Sequence, residues 1–149
     1  MLEILPATLR DLNALRRVEK ACFPRDAWPL LDLLAVLTYP DVIRLKAVEA
    51  GEMVGFIAGD KRRNDGTGWI ATLAVLPAYR RRGIARRLLV ECERQMDTDH
   101  LKLCVRRENE EAIHLYEAQG YILTETWNAY YNDGGDALVM EKISGNRNG

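Results

Sequence analysis

The feature that most constrains the fold of this chain is an apolar run that turns directly into an amphipathic helix, within residues 73–89. Pro77 ends the run, and apolar residues recur at helical spacing after Gly83. Residues 101–106 follow and alternate between apolar and polar positions, as strands do. A strand, a helix and a second strand in this order require a parallel crossover, so we expect a sheet with helices on its faces.

The rest of the chain predicts further strands and helices on both sides of this crossover. Apolar runs bounded by turn residues predict strands at 2–5, 42–48, 53–59, 68–75, 101–106, 121–127 and 137–142. Capping residues and helical spacing predict helices at about 8–22, 30–38, 83–96 and 110–119. This order indicates an α/β (α+β) fold, with a mixed, mostly antiparallel sheet of about seven strands and about four helices. We expect a single domain over residues 1–143 and a frayed tail over 144–149.

Composition and charge argue against several classes of binding partner. The formal net charge of the 149 residues is -1, so no overall field favours nucleic acid or an acidic membrane. The longest apolar region, residues 30–37, is too short to span a bilayer. The three cysteines form no CxxC pair and the two histidines have no partner at metal-ligand spacing. We therefore predict no metal, and a reduced, cytoplasmic setting.

A second local feature is the crowding of arginines around Gly83. The pattern R-x-x-G-x-A, formed by Arg80, Gly83 and Ala85, opens the helix directly after the apolar strand. Glycine lets the backbone approach a bulky anion without a Cβ, and a helix N-terminus offers free N–H groups with partial positive charge. This junction predicts a site for a phosphate-bearing ligand, with a solvated basic helix face as the alternative.

The R-x-x-G-x-A pattern is followed by a second motif, VRRENEEAIHLYEAQGY over residues 105–121. Taken in this order, the two motifs resemble the GNAT superfamily of acyl-CoA N-acyltransferases, and the first is similar to the pyrophosphate loop of that family. A closer resemblance, carried by NAYYNDGGDALVM over residues 128–140, is to the ribosomal-protein alanine and protein N-terminal acetyltransferases. The matching blocks cover roughly residues 69–140. The resemblance implies the GNAT fold, with acetyl-CoA as cofactor and coenzyme A as product.

The resemblance also implies roles for individual residues. Backbone groups of residues 73–75 are expected to pair with the pantetheine arm, and N–H groups of residues 81–86 to hold the pyrophosphate. Asn109 is expected to contact the arm, with a pure N-cap as the alternative. Tyr116 takes the general-acid position, where its reference pKa of about 10 suits a thiol of about 8.5; simple packing is the alternative. The implied cofactor-binding residues are Leu73, Ala74, Val75, Arg80, Arg81, Arg82, Gly83, Ile84, Ala85, Arg86, Asn109 and Tyr116.

The general base is the position where the sequence departs from the family pattern. The alanine acetyltransferases carry a glutamate in a stretch of the form L-E-V-R, and this chain has Cys104 at that position. Alternation along the strand points the Cys104 side chain to the face opposite Leu103 and Val105. Cys104 could take a proton only as a thiolate, so it is either a catalytic residue or an inert residue lining the site. A water held by backbone carbonyls, Asp26 and Glu19 are the other candidates.

The acceptor follows from the chemistry of amines. An α-amine has a reference pKa of about 8 and a lysine amine of about 10.4, so presenting neutral lysine costs about 3 kcal/mol more at neutral pH. We therefore expect a protein or peptide N-terminus, with Asp26, Trp28, Tyr130 and Tyr131 as substrate-binding residues. The alternatives are a small amine such as a polyamine or aminoglycoside, an internal lysine, and a non-catalytic module that binds CoA or nucleic acid. For the oligomeric state, a monomer and a homodimer are both compatible with the sequence.

Overall fold

The structure, a computed structural model, describes residues 1–62 and 66–143. Its helices and strands are, in chain order, β1 (Glu3–Pro6), α1 (Leu12–Cys22), α2 (Leu30–Thr38), β2 (Val42–Glu49), β3 (Glu52–Arg62), β4 (Thr67–Val75), α3 (Ile84–Met96), β5 (His100–Arg106), α4 (Glu110–Ala118), β6 (Ile122–Trp127) and β7 (Ala137–Ile143). Within these residues, no helix is both long enough and apolar enough to cross a membrane.

The strands form one seven-stranded sheet in the order β1-β2-β3-β4-β5-β7-β6. Among the described strand pairs, β4 and β5 run parallel and the others run antiparallel. The helix α3 connects the two parallel strands, as the sequence predicts. The α/β order and the mixed, mostly antiparallel sheet are therefore confirmed, and β4 is the central strand.

Local hydrogen bonds fix where two of the helical segments begin. Thr8 and Asp11 form a capping box, in which the N–H of Thr8 donates to Asp11 Oδ2 over 2.8 Å. The box starts a single 3-10 turn, Leu9–Asp11, that leads into α1. The helix α4 begins at a similar cap, because Asn109 Oδ1 accepts a hydrogen bond from the N–H of Ala112 over 3.2 Å.

β4 carries a β-bulge on the side that pairs with β3. The register between β3 and β4 shifts after Ala58, so that Ala71 has no direct partner on β3. A bulge bends its strand and increases its twist. The described pairing of β4 with β5 accordingly stops at Ile70, although both strands continue. A cleft opens between the C-terminal ends of the two central strands.

Two apolar layers cover the sheet. The helices α1 and α2 pack on one face, around buried residues such as Leu15 and Phe56. The helices α3 and α4 pack on the other face, around residues such as Leu88 and Leu103. We call these the α1/α2 face and the α3/α4 face. Because side chains alternate along a strand, each of the central strands contributes to both layers.

The predicted order of elements is confirmed, and most element ends differ by about a residue. For example, β4 begins at Thr67 and β5 at His100, one residue earlier than predicted, because these two residues are paired. Two differ by more: β3 continues three residues beyond its predicted end, to Arg62, and the α-helix predicted from about residue 8 begins at Leu12, after the 3-10 turn. Residues 63–65, between β3 and β4, lie outside the described residues, as does the predicted tail at 144–149.

Candidate active site

The cleft between β4 and β5 opens into a cavity of about 510 Å³. Its walls come from the residues after α1, the end of β4, the start of α3 and the helix α4. The predicted site residues that line it are Asp26, Leu73, Ala74, Val75, Arg80, Arg81, Gly83, Ile84, Ala85, Arg86, Asn109 and Tyr116. The predicted site residues outside its lining are Trp28, Arg82, Cys104, Tyr130 and Tyr131.

The turn before α3 carries consecutive backbone N–H groups with no protein acceptor. Within the described part of the chain, the N–H groups of residues 81–86 make no hydrogen bond. Arg81 and Gly83 have φ angles of 64° and 78°, a left-handed conformation in which successive N–H groups form an anion-binding concavity. A Cβ on Gly83 would meet nothing within 4 Å, so the space beside it is open. This turn, at the positive end of α3, fits a phosphate.

The arginine side chains around this turn bind mainly to protein groups. Arg80 Nε donates to the carbonyl oxygen of Val75 over 3.0 Å, and Cys22 Sγ donates to the same oxygen over 3.3 Å. The Arg82 guanidinium forms an ion pair with Glu49 at 3.4 Å. The Val75 carbonyl oxygen therefore already has two protein donors, and the Arg82 side chain is paired with Glu49, which leaves the backbone N–H of Arg82 for the predicted role in the cradle.

Tyr116 lies in the cavity wall and is 7% exposed. Its ring packs edge to face against Tyr121, with centroids 5.8 Å apart, and the Tyr121 hydroxyl donates to Glu93 over 2.7 Å. Burial raises the pKa of Tyr116 well above its usual value, so the phenol is protonated at neutral pH. Tyr116 therefore has a fixed position and a proton to donate. Asn109 lines the same cavity while it caps α4.

On the α1/α2 face, an ion network joins separate segments of the chain around Arg106. Arg106 donates to both carboxylate oxygens of Asp26, over 2.5 and 2.8 Å, and to Asp133 over 3.1 Å. Arg25 donates to the other oxygen of Asp133 over 2.8 Å. The Arg106 guanidinium also lies 4.2 Å from the ring centroid of Tyr131. Arg25, Asp26, Arg106 and Asp133, which we call the Arg106 network, hold the loop after α1 against the loop between β6 and β7.

The aromatic residues predicted to bind the acceptor are divided between two places. Tyr130 and Tyr131 pack edge to face at 5.1 Å, beside the Arg106 network. Trp28 instead borders a separate cavity of about 320 Å³, together with Asp32. The physical reason is that α2 starts directly after Pro29, so Trp28 packs with the core of the α1/α2 face. The structure does not bring Trp28 to the main cavity.

The three side chains predicted as candidate bases differ in their surroundings. Burial raises the pKa of Cys104, so its thiol is protonated at neutral pH. Glu19 is 1% exposed, and burial raises its pKa. Thr72 donates a hydrogen bond to Glu19 Oε2 over 3.0 Å, whereas Glu19 Oε1 has no hydrogen-bond partner within the described residues. Asp26 is held within the Arg106 network. None of these groups is a free carboxylate or thiolate, and the catalytic role of Cys104 stays a prediction.

Comparison with known proteins identifies the family to which this site belongs. The sequence profile of the acetyltransferase (GNAT) family matches residues 12–121. The chain belongs to the GNAT family. Among the relatives of this GNAT chain is the N-terminal acetyltransferase A complex catalytic subunit NAA10 of Arabidopsis thaliana, which is 31% identical and covers 99% of this chain and 81% of its own.

Solved structures show the same GNAT fold. The ribosomal-protein-S18-alanine N-acetyltransferase from Escherichia coli superposes with a TM-score of 0.88 at 24% identity, over 99% of this chain and 98% of its own. The Arabidopsis thaliana NAA60 structure in complex with acetyl-CoA superposes with a TM-score of 0.85 at 21% identity, over 96% and 98%. These likenesses confirm the predicted fold.

Membership of the GNAT family makes the chain an acetyl-CoA-dependent N-acetyltransferase. Acetyl-CoA is the cofactor, and the residues present fit it. The free N–H groups of residues 81–86 suit a pyrophosphate. The part of β4 beyond Ile70, which has no strand partner on the β5 side, suits an extended arm with amide groups.

Three members of the Arg106 network were not predicted from the sequence: Arg25, Arg106 and Asp133. Alternation along β5 already placed Arg106 on the same face as Cys104, and this was the available signal. Nothing local distinguished Asp133 from the other residues of its turn, because its partner Arg25 is 108 positions away. Among the described residues, no group of three or more His, Cys, Asp or Glu side chains could hold a metal ion.

Proposed function

We propose that this GNAT enzyme acetylates the α-amine at the N-terminus of a protein or peptide. The observation that carries the proposal is the charge balance of the Arg106 network, in which two carboxylates are matched by two arginines. A polyamine or aminoglycoside carries several positive charges and is best recognised by unpaired carboxylates. A peptide N-terminus carries one positive charge. Tyr130 and Tyr131 offer it an amphipathic aromatic surface beside the network.

The names of the relatives support the same acceptor. The Arabidopsis thaliana relative that covers 99% of this chain is named as a catalytic subunit of an N-terminal acetyltransferase complex. The ribosomal-protein-S18-alanine enzyme of Escherichia coli is an N-acetyltransferase by its name, and it shares the fold. We infer that the two loops joined by the Arg106 network form the walls of a slot for the acceptor peptide.

In this proposal, each described part of the site has one task. Acetyl-CoA supplies an acetyl group that is activated as a thioester. Residues 81–86 bind the pyrophosphate through backbone N–H groups, Leu73 and Ala74 hold the arm beside β4, and Asn109 contacts the arm. The neutral amine attacks the carbonyl carbon, so that a C–N bond forms, the C–S bond breaks and the nitrogen releases one proton, which returns through solvent to Tyr116 after the phenol has given up its own. Tyr116 gives its phenolic proton to the departing sulfur.

The choice between an α-amine and a lysine amine follows from the properties of the candidate general bases. The three predicted candidate bases are a protonated thiol, a buried carboxyl and a carboxylate bound to Arg106. A site with these groups favours the amine that loses its proton more readily, and the reference pKa of an α-amine is about two units lower than that of lysine. The α-amine is therefore the acceptor that we propose.

We further propose that residues 1–143 act as one catalytic domain in the cytoplasm, as a monomer or homodimer. Cys22, Cys92 and Cys104 are free cysteines, and this supports a reducing compartment. Gel filtration with light scattering measures the oligomeric state directly.

An acetyl-CoA consumption assay over a panel of acceptors tests the proposed acceptor. The panel contains peptides with a free N-terminus, the same peptides with a blocked N-terminus and one internal lysine, and polyamines. We expect turnover with the free N-termini and little with the other two groups. Preference for lysine peptides or polyamines contradicts the proposal. Absence of turnover together with salt-sensitive nucleic-acid binding indicates a binding module instead.

A further inference from the structure

The cavity of about 320 Å³ beside Trp28 lies on the α1/α2 face of the sheet. Trp28 and Val36 belong to the apolar layer of that face, and both line the cavity. Ala71 lines it from β4, where the β-bulge leaves this residue exposed and without a direct partner on β3. We call this the Trp28 cavity. It is a solvent-accessible pocket on the same face as the Arg106 network.

The walls of the Trp28 cavity combine apolar, aromatic and anionic groups. Val36 and Ala71 are apolar, Trp28 contributes its indole ring, and Asp32 and Asp60 contribute carboxylates. Asp32 is exposed in the first turn of α2, and its carboxylate makes no hydrogen bond or ion pair within residues 1–62 and 66–143. No lysine or arginine is among the described residues that line the cavity. Such walls fit a lysine or arginine side chain, which has an apolar stem and a cationic end.

Basic residues near the Trp28 cavity are already engaged with other groups. Arg62 lies 3.9 Å from Asp60 and 5.3 Å from the ring centroid of Trp69. Arg44 donates hydrogen bonds to carbonyl oxygens at the C-terminal end of α2, where the helix carries partial negative charge. The charge of Asp60 is therefore partly matched by Arg62. Asp32 is the carboxylate of this cavity that has no cation beside it among the described residues.

Two segments of the chain connect the Trp28 cavity to the main cavity. The loop after α1 contributes Asp26 to the main cavity and Trp28, two residues later, to the Trp28 cavity. On β4, Leu73 lines the main cavity and Ala71 lines the Trp28 cavity, and two strand residues span about 7 Å. An extended peptide also covers about 7 Å in two residues. A peptide whose amine reaches a thioester beside Leu73 can therefore place the side chain of its second or third residue at the Trp28 cavity.

We propose that the Trp28 cavity is a subsite for a lysine or arginine side chain at the second or third position of the acceptor peptide. The cation pairs with Asp32 and lies against the indole of Trp28, and its methylene stem packs on Val36 and Ala71. Because successive side chains of an extended peptide point in opposite directions, only one of the two positions faces the cavity. The inference rests on the proposed function, since it assumes a peptide acceptor. It narrows the substrate class to peptides with a basic residue close to the N-terminus.

The main cavity contains two glutamates that a basic peptide could contact instead. Glu108 and Glu111 line it, and neither side chain has a partner within residues 1–62 and 66–143. Both lie at the start of α4 beside Asn109, in the part of the cavity that we propose for the arm of acetyl-CoA. Substitutions of Asp32 leave Glu108 and Glu111 unchanged. They therefore distinguish recognition in the Trp28 cavity from recognition in the main cavity.

Acceptor peptides that differ only at the second or third residue test the proposal. Lysine and arginine are compared with norleucine, which has an apolar stem like that of lysine and no ammonium group. We expect the wild type to show about tenfold higher kcat/KM with a basic residue at one of the two positions. In Asp32→Asn, this preference should fall below about twofold, while the KM for acetyl-CoA stays constant.

Glu110→Gln is the matched control for Asp32→Asn. Glu110 lies in the first turn of α4 as Asp32 lies in the first turn of α2, so both substitutions remove an acidic group from a helix N-terminus. Glu110 lines neither cavity, and its variant should keep the full preference for a basic residue. Thermal unfolding of both variants checks that they fold.

A charge reversal separates recognition of the side chain from a structural effect. We expect Asp32→Lys to prefer glutamate over lysine at the same peptide position, the reverse of the wild type. Equal kcat/KM for the lysine and norleucine peptides in the wild type, a preference that survives in Asp32→Asn, or no reversal in Asp32→Lys overturns the assignment of the Trp28 cavity. A wild-type enzyme that acetylates no peptide overturns the proposed function itself, so the two failures are distinguishable.

Discussion

The two halves of the active site use different parts of the chain. The proposed cofactor half consists of the end of β4, residues 81–86, Asn109 and Tyr116, and the groups that it leaves free are mostly backbone N–H groups. The proposed acceptor half consists of the Arg106 network and residues 128–131, which are held together by side-chain contacts. Backbone groups are present whatever the side chain is, whereas an ion network needs each partner. Substitutions should therefore separate the two halves kinetically.

The largest change in kcat is expected from a substitution of Tyr116, the one side chain on which the proposed cofactor half depends. Tyr116→Phe removes the proposed acid and keeps the ring, so we expect kcat to fall about 100-fold or more. The Kd for acetyl-CoA and the melting temperature should change little, since the packing against Tyr121 remains. Steady-state kinetics and calorimetric titration measure both. Wild-type turnover in Tyr116→Phe, with the exposed Tyr39→Phe as a control, removes Tyr116 from the mechanism.

The second prediction concerns the acceptor half. Arg106→Gln leaves Asp26 and Asp133 without their shared partner, at a cost of about 2 kcal/mol for lost charged hydrogen bonds. We expect the KM for the acceptor peptide to rise about 30-fold while the KM for acetyl-CoA stays constant. Arg107→Gln is the matched control, since Arg107 is the next residue and forms an exposed ion pair with Asp136. Equal effects on both KM values contradict the separation of the halves.

A third prediction tests whether the cofactor half depends on backbone geometry. Gly83→Ala adds a methyl group in the open space beside the free N–H groups of residues 81–86. Gly83 has a φ of 78°. We expect the KM for acetyl-CoA to rise about tenfold, because the anion can no longer approach the turn closely. Gly51→Ala introduces similar strain at a φ of 77°, also without contacts within 4 Å. It should lower stability like Gly83→Ala and leave the KM unchanged.

A fourth prediction concerns Glu19, which is buried below the loop that carries Asp26. Burial raises its pKa from 4.5, so the folded state keeps the proton at pH values where the unfolded chain has lost it. The free energy of unfolding should therefore fall as the pH rises above about 4.5 and through the raised pKa. We expect Glu19→Gln to lack this decline, with a difference of about 1 kcal/mol at neutral pH. Urea unfolding at several pH values measures it, and parallel curves for both proteins contradict it.

The smallest effect is expected at Cys104. Its thiol is protonated at neutral pH, so Cys104→Ala should change kcat less than about twofold. The same steady-state assay measures this, with the wild type as reference. If kcat falls as far as in Tyr116→Phe, the thiol takes part in catalysis.

The sequence predicted the fold, and the turn and helices that carry the proposed cofactor half, because these depend on local patterns. Gly83 after an apolar strand fixes a turn and a helix N-terminus, and periodicity places Tyr116 on a helix. The acceptor half was only partly predictable, because the partners of Arg106 lie 80 and 27 positions away. No periodicity specifies such pairs. Trp28 shows the same limit, since its direction depends on how α2 packs against the sheet.

The bulge at Ala71 divides β4 into two parts that differ in their strand pairing. β4 is the central strand of the sheet, yet beyond Ile70 it lacks a partner on the β5 side, as a strand at the border of a sheet does. Unpaired strand borders normally recruit other polypeptides and promote aggregation. Here the border lines the main cavity, where an extended ligand can pair with it. Amide hydrogen exchange should show it: protons of β4 after Ala71 on the β5 side should exchange quickly in the free enzyme and slowly with acetyl-CoA bound.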